Sequence, residues 1–543
     1  GDDACISSYA IMEGNTKVGA FGHLEGQSAL ADGVSVPAGR VWMGSPARDV
    51  KAYDVTSQPP RPAVSRLRLT GETLFFCFGM VLIAVLFFMP VFPSFVLIDW
   101  FDEREMMPWL QGRDVTTQLA RYFLLAFPAS AVLIVLTALL SAAIRWGALP
   151  RLKPGSSPVH SNIYCAKWLV SHIQESSLNV LHGIYATVYA PYWYRLLGAK
   201  VGKGAEISTA LGVVPDMLTL GDDTFIADAV MLGDEQIDGG WMTMRPTVIS
   251  HRSFVGNGSY IPDGTVLPEH VLIGVHTHAP RNEQMHSGDT WLGSPPMHLP
   301  AREQVSGFAE HLTFKPSPLR RLGRSLIEAF RIVAPHAVVI AVGYTLVLDV
   351  MPIAGAGRWG EVVGDLAIAG IAYGIGNFLV VVLFKWLLLG RYRKHAAPML
   401  TPFVLLSEGV TNLYEGIAVP NFMRYLRGTP WLPLAFRLFG CKIGRGVYMD
   451  TTDITEFDCV HIGDYSELNA LTCPQTHLFE DRVMKIDHVE IGQRVYMGPR
   501  SSVLYSAKVG DNARLGPLTL VMKGEHIPAG SNWAGCPAAP LRS

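Results

Sequence analysis

Between Leu468 and Ile491 a run of evenly spaced aliphatic residues is interrupted by Asn469-Ala-Leu-Thr-Cys473-Pro-Gln-Thr-His477-Leu-Phe-Glu480-Asp481-Arg482. An imidazole with an ordinary pKa of about 6.5 suits the removal of a proton from an amine or hydroxyl that attacks an acyl group near neutral pH. A histidine without any role in a surface loop would read the same. Asn469 is the second candidate, able to orient an acceptor or polarise a carbonyl, or only to shape a turn. Acids crowd the approach, with Asp450, Asp453, Glu456, Asp458, Asp464 and Glu467 before the loop and Glu480 and Asp481 within it. A cleft lined by Glu456, Asp458, Glu467, Glu480 and Asp481 would draw in a cationic amine, although a solvated face would carry the same residues.

The element that must hold this loop is written in the rhythm around it. Ile491, Met497, Val503, Val509, Leu515, Val521, Ile527 and Trp533 fall six apart. The same beat runs through Ile249, Val255, Ile261, Leu267 and Ile273 towards Trp291, and through Ile6, Met12, Val18, Leu24, Leu30 and Val36 to Trp42. All three rows end alike, in Trp42-Met-Gly44-Ser-Pro46, Trp291-Leu-Gly293-Ser-Pro295 and Trp533-Ala-Gly535-Cys-Pro537. A period of six fits neither the alternation of an amphipathic strand nor the 3.6 of a helix. It fits a β-solenoid with three short faces per coil, whose stacked coils bury an aliphatic column that one hexad could not bury alone. The first row starts almost at Gly1, so the chain reads as a fragment of a longer polypeptide that opens inside its first solenoid.

The 543 residues are too many for one core, and four apolar stretches lie between the solenoids. Leu74 to Ile98 and Tyr122 to Ile144 carry no charge and are long enough to cross a bilayer; Leu366 to Phe384 is a third such stretch, and Ile332 to Leu348, which holds His336, the least marked. They pair as two hairpins. Arg61, Arg66, Arg68, Arg145, Arg151 and Lys153 flank the first, with Asp99, Asp102, Glu103, Glu105 and Asp114 in its connecting loop. Basic residues also flank the second, and the positive-inside rule then puts every solenoid in the cytoplasm, with the chain an integral protein of the cell membrane. The expected division is 1–60 for the rear half of the first solenoid, 71–146 for the first hairpin, 159–310 for the second solenoid, 328–392 for the second hairpin and 400–543 for the third solenoid. Seven cysteines without a C-x-x-C pair read as reduced thiols. The net charge of −2 gives no support for nucleic-acid binding.

The second and third modules keep one register. Arg195-Leu-Leu-Gly198 and Arg437-Leu-Phe-Gly440 lie 242 residues apart, as do Trp291 and Trp533. An aromatic-rich segment precedes each (Tyr164 to Leu197; Phe403 to Leu438), either lying along the membrane face or packing as ordinary helices. In the second module the stretch facing the His477 loop reads Asp228-Ala-Val-Met-Leu-Gly-Asp234-Glu235-Gln236-Ile-Asp238, and Gln236 is read as the counterpart of His477. The second module is then a supporting partner, with a carboxylate base at Glu235 left open.

Hexad rows of this kind resemble the left-handed β-helix acyltransferases, which assemble as trimers with active sites between neighbouring prisms. Three copies in one chain imply a trimer made in cis. A Thr-His-Leu phrase in the interrupting loop resembles the one that carries the catalytic histidine there, which implies that His477 is the general base. Solenoid carbonic anhydrases would need a zinc site, but His461, His477 and His488 lack that family's spacing, and no metal is expected. Solenoids in triplicate, interleaved with membrane hairpins and ending in Trp-x-Gly-x-Pro, resemble the C-terminal region of ε-poly-L-lysine synthetase-like single-module nonribosomal peptide synthetases. The resemblance implies iterative amide formation between an aminoacyl thioester, presented on the phosphopantetheine of a carrier domain, and an amine acceptor. It also implies carrier and adenylation domains on the same polypeptide, the latter using ATP, with pairing of two chains left open. An acyltransferase fed by acyl-coenzyme A and a non-catalytic membrane scaffold are the rival readings.

Overall fold

One aliphatic side chain every six residues can be buried only by stacking, and the computed structural model, which describes residues 1–54, 59–112, 114–280, 284–299 and 307–541, stacks them. Strands of two to four residues pair in parallel with strands one coil away, as in Cys5↔His23, Val248↔Val266 and Glu490↔Lys508, each 18 residues on. Three such ladders form the three faces of each solenoid. In the third, Met497, Val503, Leu515, Val521 and Ile527 are wholly inaccessible to solvent. Ile6 and Met12, in the first coil described, are exposed. Trp42, Trp291 and Trp533 end the columns, and after each the chain turns back in an antiparallel strand, Arg48–Ala52, Met297–Leu299 and Ala539–Pro540. The expected first and second units, 1–60 and 159–310, take in residues 55–58, 281–283 and 300–306, which lie outside the described residues.

Four helical segments are long and apolar enough to cross a membrane: Arg66–Glu103, Thr116–Ala148, Pro318–Gly355 and Trp359–Leu388. The first is broken at Pro90 into α1 (Arg66–Phe88) and α2 (Val91–Glu103). Next come α3 (Val115–Ala148), α4 (Asn162–Leu181) and α5 (Ala190–Leu197). The second half holds α6 (Pro318–Gly355), α7 (Trp359–Leu388), α8 (Pro402–Leu413), α9 (Val419–Asn421) and α10 (Trp431–Phe439). The aromatic-rich segments are the packing helices α4–α5 and α8–α10. Trp168 of α4 meets Phe76 of α1 at 4.8 Å, and Leu169, Val170 and Ile173 are buried.

The second and third solenoids are each tied to the apolar helix before them by the same joint. The last turn of α3 offers Arg145 to Asp216, and that of α7 offers Lys385 to Asp458 at 2.6 Å. The neighbouring Trp146 and Trp386 each donate an indole N–H at 2.9 Å to a carbonyl of the following module, Leu196 and Leu438.

The solenoids also touch one another pairwise at corners in the left-handed backbone region. Equivalent corners carry Tyr9, Gly258 and Arg500 in one layer and Gln27, His276 and Leu518 in the next, with φ between 50° and 63°. Tyr9 O–H donates to the Ala229 carbonyl at 2.6 Å, and the Arg500 guanidinium lies 3.8 Å from the Tyr9 ring centre. His276 Nε2 is 2.9 Å from Ser502 Oγ, and Ser45 O–H donates to the Pro517 carbonyl at 2.6 Å.

Candidate active site between the second and third solenoids

The residues that interrupt the hexads are an insertion in one coil. Glu467 pairs with Tyr496, 29 residues on, where the next pairing, Tyr496↔Arg514, takes 18. The additional residues form a hairpin, His477–Glu480 against Val483–Ile486, with His395–Pro398 as a third strand beside it. Its tip crosses to the second solenoid. Arg482, 5 % exposed, donates to Asp223 at 3.2 Å and to the Gly204 carbonyl, while the Phe479 ring lies 5.9 Å from that of Phe225.

His477 opens this hairpin, half-buried, with Nδ1 2.7 Å from Glu456 Oε2. The same carboxylate oxygen accepts hydroxyl bonds from Thr455 at 2.8 Å and Thr476 at 2.7 Å. Glu456 is 1 % exposed and has φ 33°, a backbone strain that a side chain tolerates where its surroundings hold it, commonly at functional sites. A carboxylate on Nδ1 fixes the tautomer and leaves Nε2 for chemistry; among the described residues no hydrogen bond to Nε2 is present. Burial by itself would lower the imidazole pKa, but Glu456, Glu408 and Asp228 overcome it and hold His477 up at about 9. Glu456 in turn is held below the usual carboxylate range: burial opposes, and the imidazolium and the three hydrogen bonds prevail.

The acids that converge here come from four places. Asp228 projects from a corner of the second solenoid and is solvent-exposed. Glu408 lies on α8, and Glu415 on the π-helical turn Tyr414–Ala418 that follows it. Asp453 precedes Glu456 in the third solenoid. Glu415 is accessible yet enclosed by protein on most sides, and that crowding, with Asp228, Glu408 and Asp453 as like charges, pushes its carboxyl up to about 8. Burial raises Glu408 and Asp453 as well. Arg331 of α6, whose Nη1 is 3.7 Å from Glu408, is set against both Glu408 and Glu415, and the His477 imidazolium also acts on Glu408.

The structure sorts the sequence-derived candidates. His477 and Glu456 are brought together, the Glu456 carboxylate bonded to the imidazole and to the hydroxyls of Thr455 and Thr476. Asn469 donates its amide at 2.8 Å to the Met497 carbonyl, closing a coil, and shares no contact with His477. Asp458 belongs to the Lys385 joint. Glu480 is neutralised by Lys485 at 2.6 Å and Lys523 at 2.9 Å. Glu467 points outward from its strand, and Asp481 forms the hairpin turn at φ 48°. His461 and His488 face each other at 5.4 Å without His477.

Glu408, Glu415 and Arg331 escaped the sequence reading. A signal existed: Glu408 and Glu415 are seven residues apart in an apolar helical segment, two turns along one face.

Hairpin register also corrects the comparison between modules. His477 pairs with Ile486, and Gln236 with Thr243, so the 242-residue offset places Glu235 opposite His477 and Gln236 opposite Leu478. Glu235 is ion-paired with Lys167 of α4, and the position of Glu456 is taken by the buried Val214. The second module therefore has no carboxylate–imidazole pair at this place.

No family model matches the chain. Solved structures with local similarity include a hexapeptide-repeat acetyltransferase of Vibrio cholerae, 14 % identical, covering 21 % of this chain and 79 % of that one at a TM-score of 0.17. Another is the serine acetyltransferase of Neisseria gonorrhoeae in complex with serine, 17 % identical over 37 % of this chain and 96 % of that one, also at 0.17. Delta-poly-L-ornithine synthetase of Acinetobacter baumannii is 51 % identical over 539 residues, 99 % of this chain but 40 % of that protein, so the chain spans about two fifths of its relative's length. Along essentially its whole length, the chain is a homologue of a poly-amino-acid synthetase.

Proposed function

We propose that this chain is the membrane-anchored, amide-forming region of such a synthetase, and that His477 is its general base. The observation that carries the reading is the His477–Glu456 pair facing Asp228 and Glu408, with Glu415 beside those two acids, where two solenoids meet. The acids gather a cationic acceptor. An alkylammonium gives up its proton near pH 10.4, and an imidazole held at about 9 is better matched to that proton than one at 6.5. The freed amine attacks the carbonyl carbon of an aminoacyl thioester. The ammonium's first proton passes through His477 to solvent; as the C–N bond forms, Nε2 takes the second proton from the nitrogen and gives it to the thiolate released when the C–S bond breaks.

The thioester is substrate, brought on the phosphopantetheine of a carrier domain that an adenylation domain loads with ATP. An apolar arm fits the row of rings that leads to the base, Phe254, Phe225, Phe479 and His477, with centroids 5.2, 5.9 and 5.7 Å apart. A cavity of about 390 Å³ lined by Phe225, Phe254 and Arg252 opens beside that row. Repetition of the step yields a polymer of a basic amino acid, ornithine by the relative's name. In the same reading the coils are left-handed, the three solenoids stand in for a trimer, the apolar helices span the cell membrane, and the solenoids are cytoplasmic.

His477→Ala in the full-length synthetase tests the reading. Polymer output should fall by roughly 10²–10⁴-fold with adenylation and carrier loading intact. Unchanged output would overturn the assignment.

A further inference from the structure

The acidic cleft contains a contradiction: a buried guanidinium whose hydrogen bonds are incomplete. Arg331 is 7 % exposed in its side chain. One Nη2 bond goes to the Ala186 carbonyl at 3.1 Å, the approach of Nη1 to Glu408 at 3.7 Å is longer than a hydrogen bond, and Nε is buried without a partner. Buried polar groups are normally satisfied, and an orphan on a charged group needs an explanation, of which a bound anion is one. The planar fork of arginine matches a carboxylate.

A lone anion would be repelled by Asp228, and by Glu408 and Glu415 once they ionise. A molecule that brings its own cations would not. A diamino acid carries a carboxylate for Arg331, an ammonium for the acids and a second amine for His477, all within one short chain.

We propose that Arg331 is a specificity-determining residue that binds the free carboxylate of the acceptor, so that the acceptor of the first condensation is a free diamino acid and not merely any cationic amine. This rests on the function proposed above. It goes beyond it by assigning a group on the acceptor and the residue that reads it.

The experiment uses the full-length synthetase in detergent and follows the initial rate of the first condensation with L-ornithine or L-ornithinamide as acceptor. The wild type should favour the free acid, and Arg331→Gln should raise its KM on the order of a hundredfold, the scale for losing one partner of a buried charge pair. KM for the amide and kcat for both should hardly move, and the amide thereby reports on the fold of the variant. Arg331→Lys, which keeps the charge and loses the fork, should fall between. Equal use of both acceptors by the wild type would overturn the inference, as would a loss of kcat for both in Arg331→Gln, which would place the guanidinium on the reacting carbonyl. A failure of the underlying reading looks different: His477→Ala would then condense both acceptors at the wild-type rate.

Discussion

His477 and Glu456 work as a pair because each alters the other's charge. The imidazolium is favoured in the folded protein, so the free-base fraction grows as pH rises towards about 9. Condensation should therefore climb across that range, and in Glu456→Gln the climb should shift down towards about 6.5, which initial rates against pH will show. The linkage sign follows. A raised folded-state pKa gives stability that is complete below about 6.5 and lost as pH rises through about 9, while the depressed Glu456 carboxyl loses its share as pH falls below 4.5, so Glu456→Gln should cost most between about pH 4.5 and 6.5 and least in alkali. Thermal unfolding at several pH values would read this, and a loss independent of pH would contradict it. In the second module Glu235→Ala, which removes only an ion pair with Lys167, should leave condensation near the wild-type rate. A loss comparable to that of His477→Ala would mean that both hairpins catalyse.

At the scale of elements, the hairpin and the membrane joints depend on different forces. Solenoid coils are held by the aliphatic column, and Leu515→Ala should cost about 2–5 kcal/mol, seen as a lowered unfolding temperature. The joint between α7 and the third solenoid is a buried ion pair. Removing one partner leaves a charge without water or counter-charge, and Lys385→Ala should cost about 3–5 kcal/mol, with part recovered in Lys385→Ala/Asp458→Asn. Additive losses in the double variant would show that the two residues are not coupled. The six-residue beat and its interruption were legible in sequence, because stacking requires one inward aliphatic per face. The hairpin's landing place was not, because Arg482 and Phe479 find Asp223 and Phe225 only once two solenoids lie side by side.

At the scale of the molecule, the three solenoids meet on corners of unequal chemistry. Where one presents Gly258, the others present Tyr9 and Arg500. A Cβ on Gly258 would lie 2.8 Å from the His276 ring at a backbone φ of 63°, so Gly258→Ala should destabilise by about 1–2 kcal/mol from the backbone alone. An unfolding temperature equal to the wild type's would contradict that. A cleft with His477 on one side and Asp228 on the other exists in this form because the copies differ. Identical copies would repeat it at every junction.

The amino-acid sequence alone determined the periodic elements, the apolar helices, the place of the interrupting loop and His477 as its candidate base. These are local properties, read from period, hydropathy and residue type. Tertiary structure decided which carboxylates serve that histidine. Glu480 and Asp458 are nearby in sequence but are spent on lysines, whereas Glu408 and Asp228 arrive from α8 and another solenoid. The physical reason is that charge acts through space: a carboxylate's effect on an imidazole follows distance and burial, and neither is a function of separation along the chain.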